Sequence, residues 1–220
     1  MAGFEKVCFE QIDYLESLDL QKKRVAQIIA GSAGNMLLLV EHPPVYTLGR
    51  SGSRSEILQK NIPLVETDRG GRVTYHGPGQ MVAYVVCDLR ANPKAVRAHV
   101  DRLENSVLLT LQGLGIDGTV EVDNPGVWVD GQKIAALGVR ISRGVAYHGL
   151  SLNREPDLSH FKGIIPCGLL GRSVTSLFEL GVDIPRVELE ERFMVAFSTV
   201  FAVQWTDSQA LTTAESRITD

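Results

Sequence analysis

Cysteine is scarce in this chain: Cys8, Cys87 and Cys167 are widely spaced and form no C-x-x-C pair. Three residues so placed exclude a disulfide framework and a cysteine zinc site, and they read as thiols in a reducing compartment. The five histidines include no H-x-x-x-H pair, so no metal is expected. Lys and Arg number 22 against 26 Asp and Glu, and no polybasic tract occurs, which argues against a nucleic-acid or anionic-lipid partner. No apolar run approaches the roughly 18 residues of a membrane span. Residues 36–40 and 81–87 are of strand length instead. The first ten residues lack the charged start and continuous apolar core of a signal peptide, so a cytoplasmic location is expected.

Glycine is in excess, at 21 of 220 residues against a usual share of roughly 7%. Twenty of the 21 lie in two clusters, at 31–79 and 113–181, which leaves 4–30, 80–112 and 182–220 free of glycine. Helical spacing of Leu15, Leu18, Val25, Ile28 and Ile29 predicts a helix over 11–30, stopped by Gly31. A stripe of Val96, Val100, Leu103, Val107, Leu111 and Leu114 predicts a second over 94–114, and residues 186–203 a third. Strands are predicted at 36–41, 45–48, 62–66, 73–75, 81–89, 120–122, 127–129, 134–141 and 145–152. The run 81–89, free of proline and glycine, should be central. Asp130-Gly131 between apolar runs is a hairpin signal, because a type I′ turn needs positive φ at both central residues. Ser176 and Glu179 form a capping pattern. Together these predict a single α+β domain over 1–205, a mixed sheet covered by helices, with a polar tail over 206–220.

Three segments combine glycine with reactive side chains. Residues 69–80 carry paired glycines, which let backbone approach a ligand closely, and a Gly77-Pro78-Gly79 turn beside His76. Their spacing matches neither the dinucleotide fingerprint nor the phosphate loop. His76 reads equally as a satisfied core histidine, and His148 more so. Lys133 follows the hairpin turn; such a lysine usually snorkels at the surface, but a buried one becomes a usable base. Cys167 lies between Pro166 and Gly168 on a constrained loop, which suits an accessible nucleophile as well as a structural role. Cys8 and Cys87 sit in apolar stretches and are expected to be buried and inert.

Taken in order, Glu41-His-Pro-Pro-Val-Tyr-Thr-Leu-Gly-Arg50, residues 69–80, the stretch from Gly131-Gln-Lys-Ile-Ala to Asn153, and Ile165-Pro-Cys-Gly168 resemble the octanoyltransferases of lipoate biosynthesis. The likeness spans residues 4–201. It implies the fold of biotinyl and lipoyl protein ligases and transfer of an octanoyl group without a cofactor. The implied donor is octanoyl-acyl carrier protein, and the implied acceptors are lipoyl domains of 2-oxoacid dehydrogenases and the glycine cleavage H protein. By motif, Cys167 matches the acyl-thioester nucleophile and Lys133 the lysine that lowers its pKa. Arg69, Gly70, Gly71, Arg72, Val73, Thr74, Tyr75 and His76, with Ala136, Leu137 and Gly138 and with Gly149, Leu150 and Ser151, match the acyl-substrate-binding segments. Ser151 departs from the family's common alanine. Backbone N–H groups of the glycine turns at 70–71 or 77–79 are candidate oxyanion donors. Two alternatives remain: an ATP-dependent ligase of the same fold, in which Lys133 contacts phosphate, and a non-catalytic acyl-binding scaffold.

Overall fold

The computed structural model describes residues 2–91, 95–122, 124–165 and 173–206. Its elements run β1 (Ala2–Cys8), α1 (Tyr14–Ala30), β2 (Asn35–Val40), β3 (Val45–Leu48), β4 (Leu64–Glu66), β5 (Val73–His76), β6 (Gln80–Asp88), α2 (Ala95–Gln112), β7 (Thr119–Val120), β8 (Gly126–Val129), β9 (Gln132–Ser142), β10 (Val145–Asn153), α3 (Arg186–Phe201) and β11 (Val203–Thr206). Among the described residues, eight strands form one mixed sheet in the order β11-β1-β2-β6-β10-β9-β8-β7, and β4-β3-β5 form a small second sheet. The apolar strand β6 is central, as its sequence predicts. None of the helices described is long and apolar enough to cross a membrane.

Strand alternation divides the core into two layers. Leu37 and Leu39 of β2 and Met81, Ala83 and Val85 of β6 face α2 and α3, packing against Leu103, Val107, Leu111, Phe193 and Phe197. Their neighbours Met36, Leu38, Val40, Val82, Tyr84 and Val86 face α1, where Tyr14, Leu18, Val25 and Ile28 cover them. Both faces are buried, which is why β2 and β6 read as continuous apolar runs.

The helical stripes are offset from those predicted. In α1 the buried face is Tyr14, Leu18, Gln21, Val25 and Ile28, whereas Leu15 is exposed. In α2 it begins at His99, and Val96 is exposed. Buried polar residues complete both stripes, and hydrophobicity alone passes over them. Asp13 caps α1 by accepting from Leu15 N at 2.8 Å, and Gly31 closes it at φ +75°. Helix α3 ends earlier than predicted: Ala202 turns left-handed at φ +51°, and β11 then adds to the sheet edge parallel to β1. Ser176 Oγ accepts from Glu179 N at 3.2 Å, but within turns rather than a helix.

Asp130 and Gly131 both have positive φ, +49° and +75°, as the hairpin signal requires. That turn sends β9 back along β8 and places Lys133 at the start of the longest strand.

Candidate active site

Lys133 is buried, at 7% exposure, contrary to the surface position that a lysine beside a turn usually takes. Its Nζ donates to Asn124 Oδ1 at 2.9 Å and to Pro125 O at 3.0 Å, and it lies 4.6 Å from the centroid of the Trp128 ring. Two acceptors and an aromatic face replace much of the water that burial removes from an ammonium. Its main chain is held equally firmly. Lys133 N donates to Ser173 O at 3.1 Å, and Thr175 N donates to Lys133 O at 3.0 Å.

Cys167 lies outside the described residues, but the chain on either side of it is anchored. On the near side Ile165 N donates to Glu56 O at 2.8 Å, and Ile164 bridges Ile57. On the far side the chain re-enters at Ser173, on Lys133 itself. Glu56 is buried and also pairs with the Arg72 guanidinium. The entry to the Cys167 segment is thereby tied to residues 69–76.

Of the other residues singled out, nine line one small cavity of about 30 Å3: Arg69, Thr74, His76, Ala136, Leu137, Gly138, Gly149, Leu150 and Ser151. Val73 and Tyr75 alternate to the opposite side of β5 and pack into the core of the small sheet. Gly70, Gly71 and Arg72 line an outer cleft of about 320 Å3, which shares Leu137 and Gly138 with the cavity and is walled on another side by Asn124 and Pro125. One continuous wall, Leu137-Gly138, therefore runs from the small cavity to the residues that hold the Lys133 ammonium.

Arg69 holds this architecture together. Its guanidinium, buried, donates to Thr47 O at 2.7 Å, to Arg72 O at 2.8 Å and to Gly70 O at 2.9 Å, folding the 69–72 loop onto β3. The loop then docks on β9 through Gly70 N, which donates to Val139 O at 3.0 Å. A Cβ on Gly138 would lie 2.9 Å from Gly70 O, so this docking requires glycine there.

Residues 13–198 match the lipoyl protein ligase A/B catalytic domain. An octanoyltransferase from Magnetococcus marinus is 52% identical over 188 residues, which cover 86% of this chain and 89% of that protein. One from Sinorhizobium medicae is 41% identical, over 92% of this chain and 83% of its own. The chain belongs to the octanoyltransferase family. It is an acyltransferase, and its fold is shared more widely. A T. acidophilum protein described as a lipoate protein ligase with bound lipoic acid superposes with a TM-score of 0.75 at 16% identity, covering 94% of this chain and 89% of that one.

Several site residues of this octanoyltransferase family member carry no sequence motif. Tyr14, Val82 and Tyr84 close the cavity from the α1 side. Each belongs to an ordinary core stripe, and only the strand alternation of β6 with the start of α1 brings them together. Asn124, Pro125 and Trp128 hold Lys133. The Asn-Pro-Gly turn beside the hairpin is the one sequence signal for them.

The oxyanion candidates are narrowed. Gly70 N is used by Val139 O, and Gly79 N donates to Glu41 Oε2 at 3.0 Å. Cys87 is buried, and burial pushes its thiol up to about 12. Cys8, expected to be buried, is instead exposed at the end of β1, beyond the stretch that pairs with β11.

His42, His76, His99 and His148 are buried and neutral. Burial, the leading cause, lowers His76 to about 3 and His42, His99 and His148 to about 4. Nδ1–H of His76 donates to Gln80 Oε1 at 2.6 Å, which satisfies it as a core histidine while its ring lines the cavity. His148, at φ +61°, has Nε2 2.9 Å from Asp68 Oδ1. A stability effect follows. Unfolded histidine titrates near 6.5, so as pH falls through the window from about 6.5 to 4 the unfolded chain takes up protons that the folded chain does not. The stability that these neutral rings contribute is fully present above that window and is lost progressively as pH falls through it. The melting temperature should drop by several degrees between about pH 7 and pH 5. A flat profile would contradict neutral burial.

Proposed function

We propose that this enzyme takes an octanoyl group from octanoyl-acyl carrier protein onto Cys167 and passes it to a lysine of a lipoyl domain. Acceptors would be the lipoyl domains of 2-oxoacid dehydrogenases and the glycine cleavage H protein. The observation that carries this reading is the Leu137-Gly138 wall. It links a small, largely apolar cavity to the larger cleft walled by Asn124 and Pro125, the acceptors of the Lys133 ammonium. An acyl chain laid along that wall has its reactive end toward Lys133, and the chain leaving the Cys167 segment is hydrogen-bonded to that same lysine.

The chemistry follows from the two groups. A free thiol titrates near 8.5 and is only a few per cent thiolate at neutral pH, so an ammonium beside it favours the anion. The Cys167 thiolate attacks the thioester carbonyl. The bond from carbonyl carbon to carrier sulfur breaks, and the carrier sulfur leaves as a thiol, taking its proton from the Lys133 ammonium, which is left neutral. One thioester replaces another at little free-energy cost, so no nucleotide is needed. The acceptor amine then attacks the acyl-enzyme, the carbon–Sγ bond breaks, an amide forms, and neutral Lys133 takes the amine proton.

Mixing the enzyme with octanoyl-acyl carrier protein and a lipoyl domain, with ATP absent, tests the reading. The lipoyl domain should gain one octanoyl group. An absolute requirement for ATP would instead mark an adenylating ligase.

A further inference from the structure

The lysine cradle has a support that neither the motifs nor the proposed chemistry includes. Asn124 and Pro125, which accept from Lys133 Nζ, lie on the connection between β7 and β8, in the two residues before Gly126. Gly126 N donates to Glu104 Oε1 at 3.1 Å, and Glu104 sits on α2 at 4% exposure. We propose that Glu104 is a positioning residue for Lys133, acting through the main chain of Gly126.

Gly126 transmits that position because its main chain runs against the lysine. At φ +142°, a Cβ on Gly126 would lie 2.6 Å from Ala135 O and 3.0 Å from Lys133 Cε. Wherever Glu104 holds Gly126, the lysine stem and its two acceptors follow. A buried acceptor on a main-chain N–H fixes that N–H in place, and the reach of the acceptor sets where. A carboxylate is also an expensive group to bury for packing alone. Burial raises the pKa of Glu104, while the Gly126 N–H and the charges of Arg97 and Lys133 oppose that rise and Asp101 adds to it. The same residues, Asn124 and Pro125, wall the outer cleft, so a shift of this turn moves the lysine relative to the acyl site.

The proposal rests on Lys133 and Cys167 acting as a pair. Its test follows iodoacetamide alkylation of the Cys167 peptide by mass spectrometry across pH, together with transfer kinetics. Glu104→Gln keeps the reach and an acceptor oxygen but no charge; Glu104→Asp keeps the charge and shortens the reach. Glu104→Asp should raise the alkylation midpoint toward that of an ordinary thiol and lower kcat roughly tenfold with donor KM little changed. Glu104→Gln should retain most of kcat and a midpoint near the native one. Glu104→Asp behaving like the native enzyme, or Glu104→Gln being the more impaired variant, overturns the proposal. Lys133→Met, run in parallel, separates the two levels. If its midpoint is unmoved, the Lys133–Cys167 pair is wrong and the role of Glu104 falls with it. If Lys133→Met shifts the midpoint and Glu104→Asp does not, only the role of Glu104 is wrong.

Discussion

Octanoyl transfer is expected to vanish in Cys167→Ala and to fall by roughly 100- to 10,000-fold in Lys133→Met, the range spanned by loss of a positioned acid–base group. Methionine keeps most of the lysine stem and so fills the space beside Trp128, but it removes the charge that favours the thiolate and the base that accepts the amine proton. The same change leaves Asn124 Oδ1 and Pro125 O without the donor that they now share. A lost partner costs about 1–3 kcal/mol for a buried acceptor, so the variant should melt a few degrees lower yet remain folded. Steady-state transfer and a thermal melt on the same sample separate the two effects. Near-native turnover in Lys133→Met would show that the buried ammonium serves packing alone.

Gly149→Ala should be among the most destabilising single changes in the chain. Gly149 pairs with Tyr84 and lies between β6 and β9 in the middle of the large sheet. A Cβ there would stand 2.1 Å from Ala83 O, a backbone atom of the central strand that has no flexible end to swing away. One strand must move, and Leu150 and Ser151 move with it out of the cavity wall. A loss of roughly 3 kcal/mol or more is expected, at the severe end of point substitutions, equivalent to a drop of roughly 6–12 °C for a domain of this size. Gly34→Ala is the control. Its nearest neighbour would be 3.8 Å away, at ordinary contact distance, and it should change stability little. Urea midpoints for the pair decide the matter, and equal midpoints would contradict the steric account.

Local chemistry is legible in the sequence where it has one physical meaning. Asp130-Gly131 announces its turn because few residues tolerate two positive φ values in succession, and the turn places Lys133. The proline- and glycine-free run around β6 announces a central strand. The cavity is legible in part, through three glycine-bearing segments, two of which converge on it. Their glycines suggest room for a ligand, whereas Gly138 and Gly149 are needed first for one backbone to approach another. What stays hidden depends on tertiary partners. Strands β1 and β11 pair with one another at the sheet edge across nearly the whole chain. Burial of Lys133 depends on Asn124 and Pro125. Tyr14 and Tyr84 enter the cavity only because α1 lies across β6. Exposure of Cys8 follows from its place at the end of an edge-proximal strand, which an apolar sequence pattern does not convey.

The central claim is that the acyl group rests covalently on Cys167 between donor and acceptor. Intact-mass measurement after mixing the enzyme with octanoyl-acyl carrier protein, with neither ATP nor acceptor present, tests it most directly. A gain of one octanoyl group is expected, mapped to the Cys167 peptide, absent from Cys167→Ala and discharged when a lipoyl domain is added. An unmodified enzyme that still transfers the group once acceptor is supplied would contradict it.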